Sequence, residues 1–382
     1  MVLLVKIKQA LYLILFLLLV VLLFGCSKES VPNNLPQSLH NHELKKKEIP
    51  LSFAGGEVIL PIKEMKGSFS SASGWLDNQT ILYVTETSEG SALYSYDIVV
   101  GQSTLLYSSV HSIVSVTVSP TRNSILIHSS PNSSMGLVTI ISSSGKIILS
   151  SEIPSNELAI EWNEYNENLL LITSFTEDWQ YHTYTLDISN NTLSQIIIPQ
   201  PFAYWSNVSE LLYLDWRADS PSLSAPLKKY NINSKVSKDV LKDIYQIDVF
   251  PKHTLSITID SNEESSIGTY TFYDHDFQEK SRLLLPQLSN FSGWFVPFYD
   301  YNKDSHVFYT FKPKYSSDID TYEGTFDLIK FSVESDEEQV VIEDLVNEPI
   351  SCSPNGTLCL YGYNLENLLL LGEKKELRLI EE

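Results

Sequence analysis

The chain has 382 residues, of which 43% are hydrophobic and 11% aromatic, and this content is ample for the core of one large domain. The formal net charge is −21 at pH 7, because 47 acidic residues outnumber 26 Lys and Arg residues. A surface this acidic repels phosphate backbones, so the composition argues against nucleic acid as a partner.

Residues 1–25 have the pattern of a bacterial export signal. Two lysines precede an apolar run from Ala10 to Phe24, which is shorter than the ~20 residues that a spanning helix needs. A glycine and Cys26 follow, and the order Leu-Phe-Gly-Cys resembles the lipobox of bacterial lipoproteins. The resemblance implies a membrane partner: cleavage before Cys26, diacylglycerol on its thiol, and attachment to the extracytoplasmic face of a cell membrane of the Gram-positive type. The alternative is an uncleaved N-terminal membrane anchor.

Residues 26–47 are predicted to form a flexible tether, and the folded domain is predicted to span residues 48–382. The tether is rich in Ser, Asn, Pro, His and Lys and has no apolar period. His40 and His42 lie beside three lysines, and a solvated linker explains this pair better than a metal site does.

One sequence unit recurs seven times from about residue 70 onward, and it predicts an all-β fold. Each copy has an anchor residue, a turn and short apolar strands. The anchors are Trp75, Val118, Trp162, Trp205, Val249, Trp294 and Cys352. Because four short strands per ~40–45 residues make one blade, we predict a single β-propeller of four-stranded antiparallel blades. The copy number gives seven blades, and six remains open if one terminal copy is not a full blade.

The two ends of the repeat array are expected to meet. The segment Val58–Ile62 is a strand candidate that would complete a shared last blade with the C-terminal strand Leu377–Ile380. Such sharing hides the seam of the ring from edge pairing.

The sixth copy is the longest. Its first turn, Pro297–Ser305, and its second loop, Lys312–Gly324, both exceed those of its neighbours. Insertions in repeat arrays map to surface loops, often on the binding face. Candidate binding residues in the second loop are Tyr315, Asp318, Asp320 and Tyr322. The alternative is a variable solvent loop.

A second set of candidates follows from blade geometry, because the loop between the second and third strands emerges on the same rim as the connection between blades. This loop contains Asp178 and Trp179 in the third copy, and Trp216, Arg217 and Asp219 in the fourth. Both Trp residues fall outside the anchor position, so blade packing does not require them. An aromatic face beside carboxylates suits a carbohydrate, a peptide or a cationic ligand. The alternative is that these aromatics cover a blade edge.

Cys352 and Cys359 flank the predicted two-residue turn Asn355-Gly356. In such a hairpin the two cysteines lie directly opposite each other, and the Cα separation of about 4.5–5.5 Å between opposed strand residues is within the range for a disulfide. An exported domain favours oxidation, and two reduced buried thiols are the alternative.

The sequence has none of the common metal or phosphate-loop motifs, so we predict no metal and no cofactor. The His residues of the folded part are scattered across the copies. Asp318 and Asp320, with Glu323, lack the other oxygen ligands and the turn glycine of a calcium loop.

Two resemblances to known families complete the sequence analysis. The turn Cys352-Ser353-Pro354-Asn355-Gly356 resembles the Trp-Ser-Pro-Asp-Gly turn of TolB-like propellers. The combination of lipobox, Ser/Asn tether and propeller resembles the YqgU-type lipoproteins of Gram-positive bacteria, which are described as propellers, usually six-bladed, of uncharacterised function. This resemblance implies location and fold and carries over no active residue.

We therefore expect a surface-anchored binding or scaffold protein whose channel rim takes a peptide, a glycan or an envelope protein. A cell-envelope hydrolase or lyase with its site at the channel mouth is the competing hypothesis, and the scattered His residues weigh against it. A purely structural partner in an envelope complex is the third.

Overall fold

Short antiparallel strands make up the architecture of the described residues. The computed structural model describes residues 58–217, 219–261 and 266–381. The predicted signal peptide, the tether with Cys26, and the start of the predicted domain lie outside the described residues. Among the residues that are described, we find no helix with the length and apolar content needed to cross a lipid bilayer.

Seven four-stranded antiparallel sheets follow one another along the described chain, and each is one blade. Blade 1 contains β1 (Ser68–Trp75), β2 (Thr80–Thr87), β3 (Gly90–Asp97) and β4 (Gln102–Ser109). Blade 2 contains β5 (Ser112–Val118), β6 (Ser124–Asn132), β7 (Met135–Ser142) and β8 (Ile147–Pro154). Blade 3 contains β9 (Glu157–Trp162), β10 (Leu169–Phe175), β11 (Tyr181–Asp187) and β12 (Thr192–Ile196). Blade 4 contains β13 (Tyr204–Trp205), β14 (Glu210–Leu214), β15 (Ala225–Asn231) and β16 (Val236–Ile244).

The remaining blades continue this order with one interruption. Blade 5 contains β17 (Gln246–Val249), β18 (Thr254–Ser261), β19 (Ser266–Tyr273) and β20 (Glu279–Pro286). A small separate sheet contains β21 (Leu288–Asn290), β22 (Gly293–Phe295) and β25 (Ser317–Asp318). Blade 6 contains β23 (Tyr299–Asn302), β24 (Val307–Pro313), β26 (Phe326–Ser332) and β27 (Glu337–Leu345). Blade 7 contains β28 (Ile350–Cys352), β29 (Leu358–Tyr361), β30 (Asn367–Leu370) and β31 (Lys375–Arg378).

The burial pattern shows how each blade is oriented in the ring. Second strands such as β10 are almost entirely buried, because both of their faces pack against neighbouring blades. Fourth strands such as β20 alternate between buried and exposed positions, as expected for the outer edge. The first strands contact one another from blade to blade, for example β9 with β13 and β13 with β17. They therefore form the inner wall of the ring, around a central channel.

The hydrophobic core lies between blades. One cluster joins Leu171 of blade 3 to Trp205 and Leu211 of blade 4, and another joins Leu126 of blade 2 to Trp162 of blade 3. The anchor tryptophans of blades 1, 3 and 4 are all at most 7% exposed. These three tryptophans pack between neighbouring blades.

The sixth anchor was predicted wrongly. Trp294 lies in β22, outside the blades, and is only partly buried. The residue of blade 6 that takes the anchor position is Tyr301, at the end of β23. The hairpin of β21 and β22 is inserted before β23, so the first of the two long loops predicted for this copy contains a blade strand instead. The second long loop is present between β24 and β26.

The seam of the ring also differs from the prediction, because blade 7 takes all four of its strands from one continuous stretch of chain. Ile62 lies beside the last strand and pairs in parallel with Ile380 as a single bridge. Its backbone N–H donates to the Leu379 carbonyl at 2.8 Å. Its side chain is 1% exposed and packs in a cluster with Trp75 of blade 1 and Leu360 of blade 7. The segment therefore clasps blades 7 and 1 together without being a strand of either.

The two rims of the ring are built from different loops. We call upper rim the side that carries the loops between second and third strands and the connections between blades. We call lower rim the side with the other two loops of each blade. Loops on the lower rim meet across the ring: Lys303 Nζ of blade 6 donates to the Pro120 carbonyl of blade 2 at 2.6 Å and pairs with Glu164 of blade 3 at 3.4 Å. Arg122 of blade 2 also pairs with Asp304 of blade 6 at 2.9 Å. These contacts bridge the lower mouth of the channel.

Candidate functional site

Among the described residues, the strongly exposed aromatic side chains lie on one side of the propeller. Within the described chain, the strongly exposed aromatic residues are Trp179, Phe202, Trp216, Phe291, Phe298, Tyr315 and Tyr363. All of them belong to loops of the upper rim. Large apolar side chains exposed together mark interaction surfaces more often than scattered ones do. The upper rim is therefore the face on which a binding site is expected.

A cavity of about 450 Å³ opens on this rim between blades 4 and 5, and we call it the rim pocket. Its walls include Phe202, Tyr204, Trp216, Leu223, Tyr245 and Gln246. Tyr204 and Gln246 belong to the inner strands β13 and β17, so the pocket reaches from the rim to the channel wall. A concave apolar site with a few polar groups has the composition of small-ligand pockets.

The structure places the two predicted tryptophans near the same aromatic surface. Trp216 lines the rim pocket, and its carbonyl accepts a hydrogen bond from Gln200 Nε2 at 2.9 Å. The Trp179 ring packs edge-on against Phe175 at 6.0 Å, and Phe175 packs against Phe202 of the pocket at 5.4 Å. A row of aromatic rings therefore leads from Trp179 to the rim pocket. The middle of this row, Phe175 and Phe202, was not among the residues predicted from the sequence.

The backbone at Trp179 has a φ of 61°, in the left-handed region that favours glycine. A bulky residue there costs of order 1 kcal/mol, and such strain often marks a functional position. The indole of Trp179 is 70% exposed. Neighbouring Asp178 accepts a hydrogen bond from Thr176 Oγ1 at 2.6 Å, which lowers the pKa of its carboxyl and closes the turn.

The other predicted residues lie elsewhere or are engaged locally. Arg217 and Asp219 pair with each other at 3.3 Å, and both are well exposed. In the blade 6 loop, the Tyr322 hydroxyl donates to the Thr325 carbonyl at 2.7 Å. Asp318 Oδ1 accepts from the N–H of residue 320 at 2.9 Å. These contacts shape the loops, and none of these residues lines the rim pocket.

The same loop carries the last two predicted residues. Tyr315 is 48% exposed, and its ring packs against Tyr322 at 4.9 Å. Asp320 is exposed within the short 3-10 turn Ile319–Thr321. The loop is held beside β21 by the parallel pairing of β25, so it forms a second upper-rim feature, separate from the rim pocket.

Cys352 and Cys359 lie opposite each other on β28 and β29, with Cα atoms 3.9 Å apart and a disulfide joining them. The bridge closes the first hairpin of blade 7. Its formation in the exported protein stays a prediction.

Three carboxyl groups that sequence analysis missed lie on the inner strands: Glu161 on β9, Asp248 on β17 and Asp300 on β23. Each precedes the anchor of its own blade, and this repeat position is also occupied by Tyr204 on β13. The four side chains are partly exposed and close enough for their charges to interact. We call them the channel cluster.

Burial makes the carboxyls of the channel cluster weak acids. It raises the pKa of Glu161 to about 8, with the negative charges of Asp248 and Glu164 adding to the effect. It raises the pKa of Asp248 to about 6, against hydrogen bonds from the Val249 N–H and the Tyr299 hydroxyl. At pH 7 Glu161 is therefore mostly protonated, and Asp248 is mostly ionised.

The remaining two members behave in the same way. Burial raises the pKa of Asp300 to about 6, although its Oδ2 accepts a hydrogen bond from the Cys352 N–H at 2.8 Å. Burial also raises the pKa of Tyr204 to about 12, and the charges of Asp248 and Glu161 add to this shift. None of the ion pairs in the described ranges involves a carboxyl of the channel cluster. Across those same ranges, no three His, Cys, Asp or Glu side chains are grouped so as to hold a metal ion.

Comparison with known proteins gives one family match. The model described as "YqgU-like 6-bladed beta propeller domain" matches residues 97–362, well over half of the chain. This stretch contains blades 2 to 6 in full and parts of blades 1 and 7. The described residues form seven four-stranded sheets, one more than the family description gives.

Individual relatives agree with this match. The chain is 27% identical, over 366 residues and 96% of both chains, to the uncharacterized lipoprotein YqgU of Bacillus subtilis strain 168. A crystal structure of an uncharacterized protein from Listeria monocytogenes EGD-e superposes with a TM-score of 0.76 at 22% identity, over 85% of this chain and 98% of that one. The β-propeller domain of a Pyrococcus furiosus protease, described as having an open velcro topology, superposes with a TM-score of 0.54 at 12% identity, over 83% and 99%.

Proposed function

Because the chain belongs to the family of YqgU-like β-propeller domains, we propose that it is a membrane-anchored extracytoplasmic binding protein that holds its ligand at the upper rim. The observation that supports this function best is the one-sided exposure of aromatic residues around the rim pocket. A scaffold without a ligand site has no need of a concave aromatic pocket that reaches the channel wall.

The anchor in this proposal is a diacylglyceryl group on Cys26. The described chain starts at Val58, and the Leu60 N–H donates to the Ile98 carbonyl at 2.7 Å, in a lower-rim loop of blade 1. The N-terminal part of the chain therefore joins the propeller on the side opposite the rim pocket. This arrangement suits a binding face directed away from the membrane.

Replacing Cys26 by Ser tests the anchor. In a Gram-positive host the wild-type chain should sediment with membranes and take up labelled palmitate, whereas the variant should do neither. Membrane retention of the variant without label would instead support the uncleaved N-terminal anchor.

Binding at the rim is tested with the full chain in detergent micelles against defined nonapeptides and cell-wall glycan fragments, by calorimetry. Replacing Phe202 or Trp216 by Ala should weaken the binding of whichever probe binds by about five- to thirtyfold, because a lost stacking contact costs about 1–2 kcal/mol. Val208, which is 52% exposed on the lower rim, provides the matched control, since Val208→Ala should change nothing. Equal affinities for all of these variants would contradict the rim site.

One observation favours a second function, a cell-envelope hydrolase or lyase at the channel mouth. Glu161 and Asp248 differ in protonation at neutral pH, and an acid paired with a base is what general acid–base catalysis requires. Cleavage of a cell-wall glycan by the wild-type chain, abolished in both Glu161→Gln and Asp248→Asn, would establish this alternative. Binding of the same glycan without turnover would support the binding protein.

A further inference from the structure

We propose that the rim pocket accepts a cationic side chain, Lys or Arg, of a peptide or protein segment, and that the carboxyls of the channel cluster supply the countercharge. The proposal rests on the binding function above and deepens it, because it names the ligand class of the same pocket.

The carboxyls of the channel cluster have no cationic partner among the described residues. Glu161, Asp248 and Asp300 come from three different blades and converge on one channel, yet no Lys, Arg or His among the described residues pairs with any of them. The cations nearest to the channel are committed on the lower rim, where Lys303 pairs with Glu164. A buried carboxylate without a cationic partner is unfavourable, and a ligand cation would reduce that cost.

Hydrogen bonds connect the rim pocket to one carboxyl of the channel cluster. Gln246 lines the rim pocket, and its Nε2 donates to the Tyr299 hydroxyl at 3.3 Å. That hydroxyl donates to Asp248 Oδ2 at 3.1 Å. Tyr204 lines the pocket as well, and its pKa responds to the charges of Asp248 and Glu161. A side chain that extends past Gln246 and Tyr204 therefore arrives beside the channel cluster.

The wall of the rim pocket is largely aromatic. Phe202, Tyr204, Trp216 and Tyr245 surround the opening with aromatic rings, and the face of such a ring attracts a cation. Aromatic walls alone would equally suit an apolar group or a sugar. The carboxyls of the channel cluster, which lie behind Gln246 and Tyr204 and not in the pocket lining itself, favour a cation over both. Arg217, the one cationic residue next to Trp216 in sequence, pairs with Asp219 at the rim and leaves the pocket unopposed.

The aromatic surface outside the pocket indicates a peptide instead of a small free amine. Trp179 on one side, and Phe298 packed edge-on against Tyr363 at 6.4 Å on another, are exposed along the same rim. A small amine would fill the pocket and leave these rings uncovered. A peptide whose Lys or Arg enters the pocket also has flanking residues to place on them.

Binding of a cation to these carboxyls should depend on pH in a way that surface charges do not. The titratable groups that face the carboxyls of the channel cluster are Tyr204, Tyr299, Tyr309, Glu164 and, through Glu164, Lys303. Burial raises the pKa of each of these tyrosines, which therefore keep their protons through the neutral range, so the carboxyls themselves set the response. As pH rises and the three carboxyls lose their protons, a Lys-bearing ligand should bind more tightly. Ordinary surface carboxylates are ionised throughout this range.

The test uses the full chain in detergent micelles and four acetylated nonapeptides that differ only in a central Lys, Arg, norleucine or Glu. At about pH 8.5 and about 0.15 M salt, the Lys and Arg peptides should bind at least about tenfold more tightly than the norleucine peptide. At about pH 5.5 this preference should shrink severalfold, although the Lys side chain stays charged. The conservative variant Asp248→Asn combined with Glu161→Gln should abolish the preference. Glu152→Gln, which removes a charge from the exposed outer strand β8, should leave it unchanged.

Each other outcome is decisive. Equal binding of the Lys and norleucine peptides, lost in Trp216→Ala, would overturn the cationic ligand and leave the rim site standing. Binding of no peptide, or binding insensitive to Trp216→Ala, would contradict both proposals. Spermidine binding as tightly as the Lys peptide, with no loss in Trp179→Ala, would replace the peptide by a free amine. A loss of Lys preference in Glu152→Gln equal to that in the channel variant would assign the effect to overall charge.

Discussion

Replacing Glu161 by Gln should stabilise the fold in mildly alkaline solution and leave it unchanged in acid. The folded state raises the pKa of this carboxyl from 4.5 to about 8, so it retains a proton that the unfolded chain has lost. Stability from such a group is complete below the unfolded pKa and is lost as pH rises through the folded pKa. The wild-type protein should therefore lose stability between about pH 4.5 and 8. The variant should not show this loss, because Gln is neutral at every pH.

The size of the effect follows from the pKa difference. A change from 4.5 to about 8 corresponds to at most about 5 kcal/mol. Because the side chain is partly exposed to the channel, solvent screening reduces this, and we expect about 2 kcal/mol. For a domain of this size that amounts to a rise in Tm of about 3 °C at about pH 8.5.

Thermal unfolding followed by circular dichroism over about pH 4.5 to 8.5 measures the difference. The control is Glu152→Gln, which removes a carboxylate from the exposed outer strand of blade 2. Its curve should run parallel to that of the wild type. Parallel curves for Glu161→Gln, or a lower Tm for this variant at alkaline pH, would refute the reasoning that Glu161 is buried without a cationic partner.

Three further predictions concern the closure of the ring. In urea unfolding, Ile62→Ala should lower the free energy of unfolding by about 2–4 kcal/mol, because it leaves a cavity in the seam. The control Ile147→Ala, at a 55% exposed position, should cost under about 0.5 kcal/mol, and equal losses would argue against the clasp. Replacing Cys352 and Cys359 by Ser should lower the free energy of unfolding by about 2–3 kcal/mol, the value for a short disulfide loop, and reductant should not affect the variant. An unfolding midpoint equal to that of the wild type would indicate that the wild-type thiols are reduced. Lys303→Met should lower the free energy of unfolding by about 1–2 kcal/mol in the same assay, because it removes the contacts of Lys303 across the ring. An unchanged free energy of unfolding would show that other groups hold the lower mouth together.

The repeat made the fold predictable, because a fixed period reports a repeated supersecondary unit even where single residues vary. The same regularity produced the error at Trp294. This residue continues the spacing of the earlier anchors, but it lies in an inserted hairpin, and Tyr301 takes the anchor position. A period cannot distinguish a blade strand from an insertion of similar composition. Only strand pairing does that.

The candidate site was predictable in part. Trp179 and Trp216 were found because they break the repeat, and both lie on the aromatic rim. Glu161 and Asp248 were not found, because each follows the repeat, at the residue before an anchor. Comparing the residue before each predicted anchor would have shown Glu161, Tyr204 and Asp248 where the other copies carry Gly, Thr and Ser. Asp300 would have stayed hidden, because it precedes Tyr301 and not the predicted anchor Trp294. The convergence of these carboxyls depends on ring closure, which brings residues that are far apart in the chain to one axis.

The clasp formed by Ile62 has a mechanical consequence. Any pull on the N-terminal part of the chain enters the propeller at Leu60 and Ile62, the residues that hold blade 7 against blade 1. Force on the N-terminal part of the chain would therefore act first on the contact between blades 7 and 1, where a single parallel bridge holds Ile62. The hydrogen bond to Leu379 and the buried Ile62 side chain would have to yield before any blade did. After that release, Trp75 Nε1, which donates to the Ser351 carbonyl at 2.8 Å, would still join blade 1 to blade 7.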